Sequence, residues 1–152
     1  MWRGVPGAAA VLAGVLAAGC TIKTRVEAVP ERVIPSLCVQ ENGAVWSKDF
    51  LPTLREQLGR HGIETTVYQG ERPRGCRYHL EYEARWKWDM AVYLAYADLR
   101  LYDAGVLIGR GTYDARGGSG RLDKFGRGDE KLARLLDEML ASVNRAVARY
   151  EG

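Results

Sequence analysis

The chain has 152 residues, 47% of them hydrophobic and 27% charged, with a formal net charge of +3. That composition excludes a disordered chain and suits one domain with its own core. The charge is too small, and Lys and Arg too interleaved with Asp and Glu, to point to nucleic acid as a partner.

The first nineteen residues read as a signal peptide. Arg3 is the only charge before Cys20, and Ala8 to Ala18 holds only Ala, Val, Leu and Gly. An apolar run of that length fits a signal-peptide core and is short for a membrane-spanning helix. It ends in Leu16-Ala17-Ala18-Gly19-Cys20, which resembles the bacterial lipobox, with Ala17 where that motif prefers Leu. Cleavage before Cys20 leaves about 130 residues, the size of one domain. Acyl chains such as palmitate on Cys20 then hold the protein to a membrane, each buried methylene contributing roughly 0.8 kcal/mol. Thr21 after the Cys, in place of Asp, resembles the sorting pattern for the outer membrane, with the domain on its periplasmic face. Cleavage at an ordinary Ala-x-Ala site and a retained, uncleaved segment are the alternatives.

Residues 20–31 are expected to be the lipidated Cys and a tether, and residues 32–152 a periplasmic domain. Arg32 to Gln40 reads as the first strand despite Pro35. Asp49 to His61 reads as a helix. Asp49 is placed to cap it, Pro52 falls in its first turn, and Phe50, Leu51, Leu54 and Leu58 share one face. Gly62 is suited to the left-handed position that ends it. Ile63 to Gln69 is a second strand.

Tyr78, Leu80, Tyr82, Ala84, Trp86 and Trp88 then alternate with His79, Glu81, Glu83, Arg85 and Lys87. This period of two predicts a long strand with one buried and one wet face. Glu81 and Glu83, about 7 Å apart by strand rise, read as part of a solvated ion-pair row. Val92 to Tyr102 is the next strand, with Tyr93, Ala95, Ala97, Leu99 and Leu101 on one face and Val92, Leu94 and Tyr96 on the other. A strand apolar on both sides needs a second cover. Asp103-Ala104-Gly105 is a hairpin turn and Val106 to Tyr113 the last strand. After a Gly-rich loop, Asp129 to Tyr150 is an amphipathic helix striped by Leu132, Leu135, Leu136, Met139, Leu140, Val143, Val147 and Tyr150. The expected fold is α+β: a single domain with a βαβ unit, then an antiparallel meander, with both helices on one sheet face.

If Cys20 carries lipid, Cys38 and Cys76 remain in an oxidising compartment, where an even pair suggests a disulfide. With the first two strands parallel, the end of the first and the start of the third share one end of the sheet. The pair can then meet, and closing the loop contributes roughly 4 kcal/mol. Two unpaired buried thiols are the alternative.

No catalytic constellation stands out, so an enzyme is not expected, and neither is a cofactor. His61 and His79 show no ligand spacing with the cysteines, so no metal is expected. Gly109-Arg110-Gly111 and Gly117-Gly118-Ser119-Gly120 lack the Lys and Ser/Thr spacing of a phosphate loop. Arg127-Gly128-Asp129 sits at a helix start, where Gly and Asp have structural reasons. Trp86, Trp88, Tyr93, Tyr96, Tyr102 and Tyr113 fall in the meander. Most are expected in the core, and some suit a groove or partner surface.

The lipobox, Trp88-Asp89-Met90-Ala91-x-Tyr93-Leu94, Gly109-x-Gly111-x-Tyr113 and Lys124-Phe125 together resemble the Sbal-type family of small proteobacterial lipoproteins of unknown function. That resemblance covers most of the mature chain and implies location and fold, with no activity. The functional expectation is a non-catalytic binding or assembly module on the membrane, with Trp88, Asp89, Tyr93 and Lys124 as a contact surface for an envelope protein. The alternative is a small-ligand or cell-wall-binding module with an aromatic-lined sheet face. The sequence leaves the oligomeric state open.

Overall fold

The computed structural model describes residues 21–118 and 122–145. The expected signal peptide, Cys20 and the last part of the expected final helix, with Val147 and Tyr150, lie outside the described residues.

One six-stranded mixed sheet carries both helices on a single face. In chain order the elements are β1 (Lys23–Glu27), β2 (Ser36–Gln40), α1 (Phe50–Arg60), β3 (Glu64–Tyr68), β4 (Tyr78–Asp89), β5 (Ala91–Asp103), β6 (Val106–Asp114) and α2 (Gly128–Met139). The sheet order is β1-β6-β5-β4-β2-β3. β2, α1 and β3 form the expected βαβ unit, with β2 and β3 parallel, and β4, β5 and β6 form the expected meander.

The expected tether is largely structured. Lys23 to Glu27 is an edge strand antiparallel to β6, from Lys23↔Asp114 to Glu27↔Arg110. Its sequence reads as polar because only Val26 turns partly inward. Beyond it Val29 is buried, and its N–H donates to Met139 O at 2.8 Å.

The first expected strand is shorter than its apolar run. Arg32 instead bridges to Val143, and Ile34 is held by Asn144. That pairing also ends α2 at Met139, well before Tyr150. Asn144 takes a left-handed φ of 57°, and its side chain bonds Ile34 N and O and His61 O at 2.8–3.0 Å. Three backbone partners from two distant segments outweigh one more helical turn.

α1 buries Phe50, Leu54 and Leu58 as its periodicity requires, and Gly62 is left-handed at φ 71°. Asp49 occupies the cap position, but its side chain makes no capping bond. Gly111 is a packing glycine: a Cβ there would lie 2.8 Å from Leu135 Cγ on α2.

β5 does not need the expected second apolar cover. The register shifts between Arg85 and Trp86, so Tyr96 pairs with Arg85, Leu94 pairs with Trp86, and Ala95 is the extra residue of a bulge. The bulge moves Leu94 to the helix side, where its Cβ approaches Gly128. Tyr96 stays on the far face, beneath the Arg116 guanidinium at 4.4 Å.

That far face is ionic. Asp98, 1% exposed, accepts from Arg110 Nε at 2.8 Å and Nη2 at 3.0 Å, with Arg100 and Thr112 completing its shell. Arg85 donates to Glu83 at 2.8 Å, and Arg100 lies 3.5 Å from Glu81, so the expected ion-pair row is present.

Candidate functional site: the projecting β4–β5 hairpin

β4 and β5 run past their neighbours. β6 reaches only Tyr96 in the strand register, and β2 pairs with β4 only at His79 and Leu80. The last pairs, Trp86↔Leu94, Lys87↔Tyr93, Trp88↔Val92 and Asp89↔Ala91, therefore form a two-stranded ribbon. Met90 closes it at a φ of 62°.

The apolar face of the sheet continues along this ribbon beyond the helices. Phe50 at the start of α1 meets Trp86 edge-on at 5.6 Å, and Trp46 lies 6.4 Å from Trp86. The next pair has no cover: Trp88 is 74% exposed and Val92 54%. Met90 at the tip is 88% exposed, and Leu122 is 82% exposed. Trp88, Met90 and Val92 are neighbours on one hairpin, and large apolar side chains this exposed and this close mark an interaction surface more often than an accident of folding.

Of the four residues expected on a contact surface, the structure brings three into direct contact and leaves the fourth in solvent. The Lys124 ammonium, on a short turn of 3-10 helix at Leu122–Phe125, is 2% exposed and bonds Asp89. It lies 5.3 Å from the Tyr93 ring centre and 4.9 Å from that of Phe125, and those two rings meet edge-to-face at 5.6 Å. Tyr93 and Lys124 are thus buried supports of the hairpin, and Trp88 is its exposed residue. The Lys131 ammonium donates to Lys124 O and lies 5.0 Å over the Tyr113 ring. Burial pulls the Lys131 pKa down, opposed by Asp123. No sequence pattern marks this second lysine, whose partner is a backbone oxygen.

Beside the ribbon, the N-terminal ends of α1 and α2 flank a groove of ≈ 270 Å³. Phe50, Trp86, Leu94 and Leu132 form its apolar wall, and Asp49 and Asp129 stand at its rim. Arg127 pairs with Asp129 at 2.7 Å, which gives the Arg-Gly-Asp tripeptide a local structural role. The aromatic-lined hollow is on the helix side, not on the open sheet face expected for a ligand module, because that open face is filled by ion pairs.

Cys38 and Cys76 are joined, with Cα atoms 5.8 Å apart. The route differs from the expected one. β2 lies directly beside β4 and parallel to it, with Cys38 opposite His79, so Cys76 just before β4 falls next to Cys38. His79 is on the expected wet face yet only 6% exposed. Its ring stacks on Tyr102 at 4.6 Å, and its Nδ1 accepts from Arg72 at 2.8 Å. Nε2 lies 3.8 Å from Glu81. Burial and the Arg72 charge hold its pKa below the ordinary value, against a smaller opposing effect of Glu81. Among the described residues, no three His, Cys, Asp or Glu side chains are grouped to hold a metal ion, and no helix is long and apolar enough to cross a membrane.

The fold has solved relatives. PelC from Paraburkholderia phytofirmans, a dodecamer, superposes with a TM-score of 0.54 at 14% identity, over 81% of this chain and 98% of that one. A point variant of the same dodecamer gives 0.54 and 14%, over 80% and 96%. No family model matches the chain, and no curated protein matches it. At this identity the likeness is one of fold.

Proposed function

We propose that this protein is a membrane-anchored module of the bacterial envelope, held through acyl chains on Cys20, that works by binding and assembly. The observation that carries the reading is how little chain separates Cys20 from the fold. Only Thr21 and Ile22 intervene before β1; Ile22 is partly buried against the core and approaches Gly118, and the backbone oxygen of the exposed Thr21 lies near Gly117. An anchor attached there fixes the orientation of the domain as well as its location. The Thr21 position favours the outer membrane, periplasmic side. That the PelC structures of this fold are dodecamers supports the assembly of several copies.

The test is intact mass and native mass of the chain purified in detergent from membranes, beside Cys20→Ser. The mature chain plus diacylglycerol and a further acyl group, in a multiple of the monomer mass, is the expected result. An uncleaved, unmodified chain overturns the anchor, and a monomer at all concentrations overturns the assembly.

The groove between the helix ends favours a second reading, a small-ligand module. An apolar floor of Phe50, Trp86 and Leu94 with two carboxylates at the rim suits a ligand with one apolar face and hydrogen-bond donors at its edge.

A further inference from the structure

We infer that the tip of the β4–β5 hairpin, Trp88, Met90 and Val92, with Leu122 on the 3-10 turn that adjoins it through Lys124 and Asp89, is a second membrane contact that enters the lipid interface next to the Cys20 anchor. The inference rests on the anchored reading for its orientation and on the hairpin geometry for its content.

Direction comes from the sheet. β1 begins at Lys23, opposite Asp114, and Asp114 is opposite Tyr96 on β5. Lys23 and Tyr96 are therefore level. From that level the chain runs back toward Cys20, and the hairpin runs on toward Met90, at the same end of the sheet. The β5–β6 hairpin, with Ala104 and Gly105, is at the other end.

Distance then decides. Three residue steps lead from Lys23 back to Cys20, which at full extension reach about 10 Å. From Tyr96 to Ala91 the ribbon advances roughly 13–16 Å at a strand rise of about 3.3 Å, less one step for the bulge. The tip thus projects at least as far as Cys20 can reach. Acyl chains on Cys20 lie in the bilayer, so a domain held this closely brings the tip into the headgroup region.

The chemistry fits that place. Trp is favoured at the boundary of water and lipid, where its ring is buried and its N–H stays hydrated. Met90, Val92 and Leu122 supply apolar surface with no polar group to desolvate. Asp89 is the acid at the tip, and the buried Lys124 neutralises it. An unpaired carboxylate there would oppose entry into a low-dielectric region, and the ion pair removes most of that cost. Lys23, Arg85 and Lys87 are exposed on the flank, where cations meet lipid phosphates.

The test uses the full acylated chain in vesicles of phosphatidylethanolamine and phosphatidylglycerol. With Cys38 and Cys76 paired and Cys20 acylated, Met90→Cys introduces a single free thiol for a spin label. Val106→Cys, 66% exposed near the far hairpin, is the control. Power saturation reads the access of each label to oxygen, which concentrates in lipid, and to a water-soluble nickel chelate. The expected result is a label at 90 at least several-fold more accessible to oxygen than to nickel, and the reverse at 106. Two water-exposed labels on an acylated chain overturn the proposal and leave the anchor standing. A label at 90 shielded from both quenchers shows a second copy covering the tip, and also overturns it. A lipid-exposed label at 90 in a Cys20→Ser chain shown by mass to be unacylated supports the proposal and shows that the tip enters lipid without the anchor. A Met90→Asp chain that melts like the parent and loses vesicle binding in that Cys20→Ser background supports it from the stability side.

Discussion

Ile34 and Asn144 form a reciprocal pair: the Ile34 N–H donates to Asn144 Oδ1 at 2.8 Å, and Asn144 Nδ2 donates back to Ile34 O at 3.0 Å. One side chain thus stands in for a strand partner and joins the segment before β2 to the chain leaving α2. Asn144→Ala removes both bonds and the one to His61 O, and places an alanine at φ 57°. The expected loss is about 2–4 kcal/mol, because partly buried backbone groups lose their partners and Asn tolerates the left-handed region better than Ala. Urea unfolding checks it, and Asn144→Asp, which keeps the acceptor, recovers part.

Trp88→Ala is expected to change stability by less than about 0.5 kcal/mol, since the side chain is 74% exposed. Leu94→Ala, in the next cross-strand pair on that face toward the core and 2% exposed, is expected to cost about 2–5 kcal/mol. Equal losses would mean that the ribbon is covered in solution by something more than the helices.

Lys124 and Asp89 are expected to be coupled. Asp89→Asn leaves a buried ammonium without its counter-charge and destabilises by about 2–4 kcal/mol, and Lys124→Met alone costs less because Asp89 is half exposed. In the double variant the losses do not add, and the cycle returns an interaction energy above about 1 kcal/mol.

Reducing the Cys38–Cys76 bond, or replacing both residues with Ser, is expected to lower unfolding free energy by about 4 kcal/mol, from the entropy of a loop spanning 38 residues. Thermal melting with and without reductant reads it.

His79 gives the fold an acid sensitivity. Its folded pKa is below the unfolded value of 6.5, so protonation is harder in the native state. Its contribution to stability is present above pH 6.5 and is lost as the pH falls through the lower folded value. Arg72 stands at Nδ1 and repels the second proton, Tyr102 stacks on the ring, and Glu81 on the Nε2 side opposes the effect in part. His79→Gln, which does not titrate, is expected to flatten the stability profile between pH 7 and 5.

Much of the fold was legible because periodicity is local. The alternation from Tyr78 to Trp88 set a long two-faced strand, the Phe50, Leu54, Leu58 spacing set α1, and Ala104-Gly105 set a hairpin with both residues at positive φ. Lys23–Glu27 was not legible, since an edge strand with one inward residue carries no apolar signal.

By itself the sequence determined the long strands of the meander, the βαβ unit, the buried faces of both helices, and that Cys38 and Cys76 are an even pair suited to a disulfide. These follow from side-chain chemistry and from spacing along one segment. The tertiary structure alone decided that β5 bulges at Ala95, that Lys124 is buried while Trp88 is not, and that the hairpin outruns its neighbours at the end where the chain leads back to Cys20. Each of those depends on which strands lie side by side and in what register, and register is set by contacts between residues far apart in the chain.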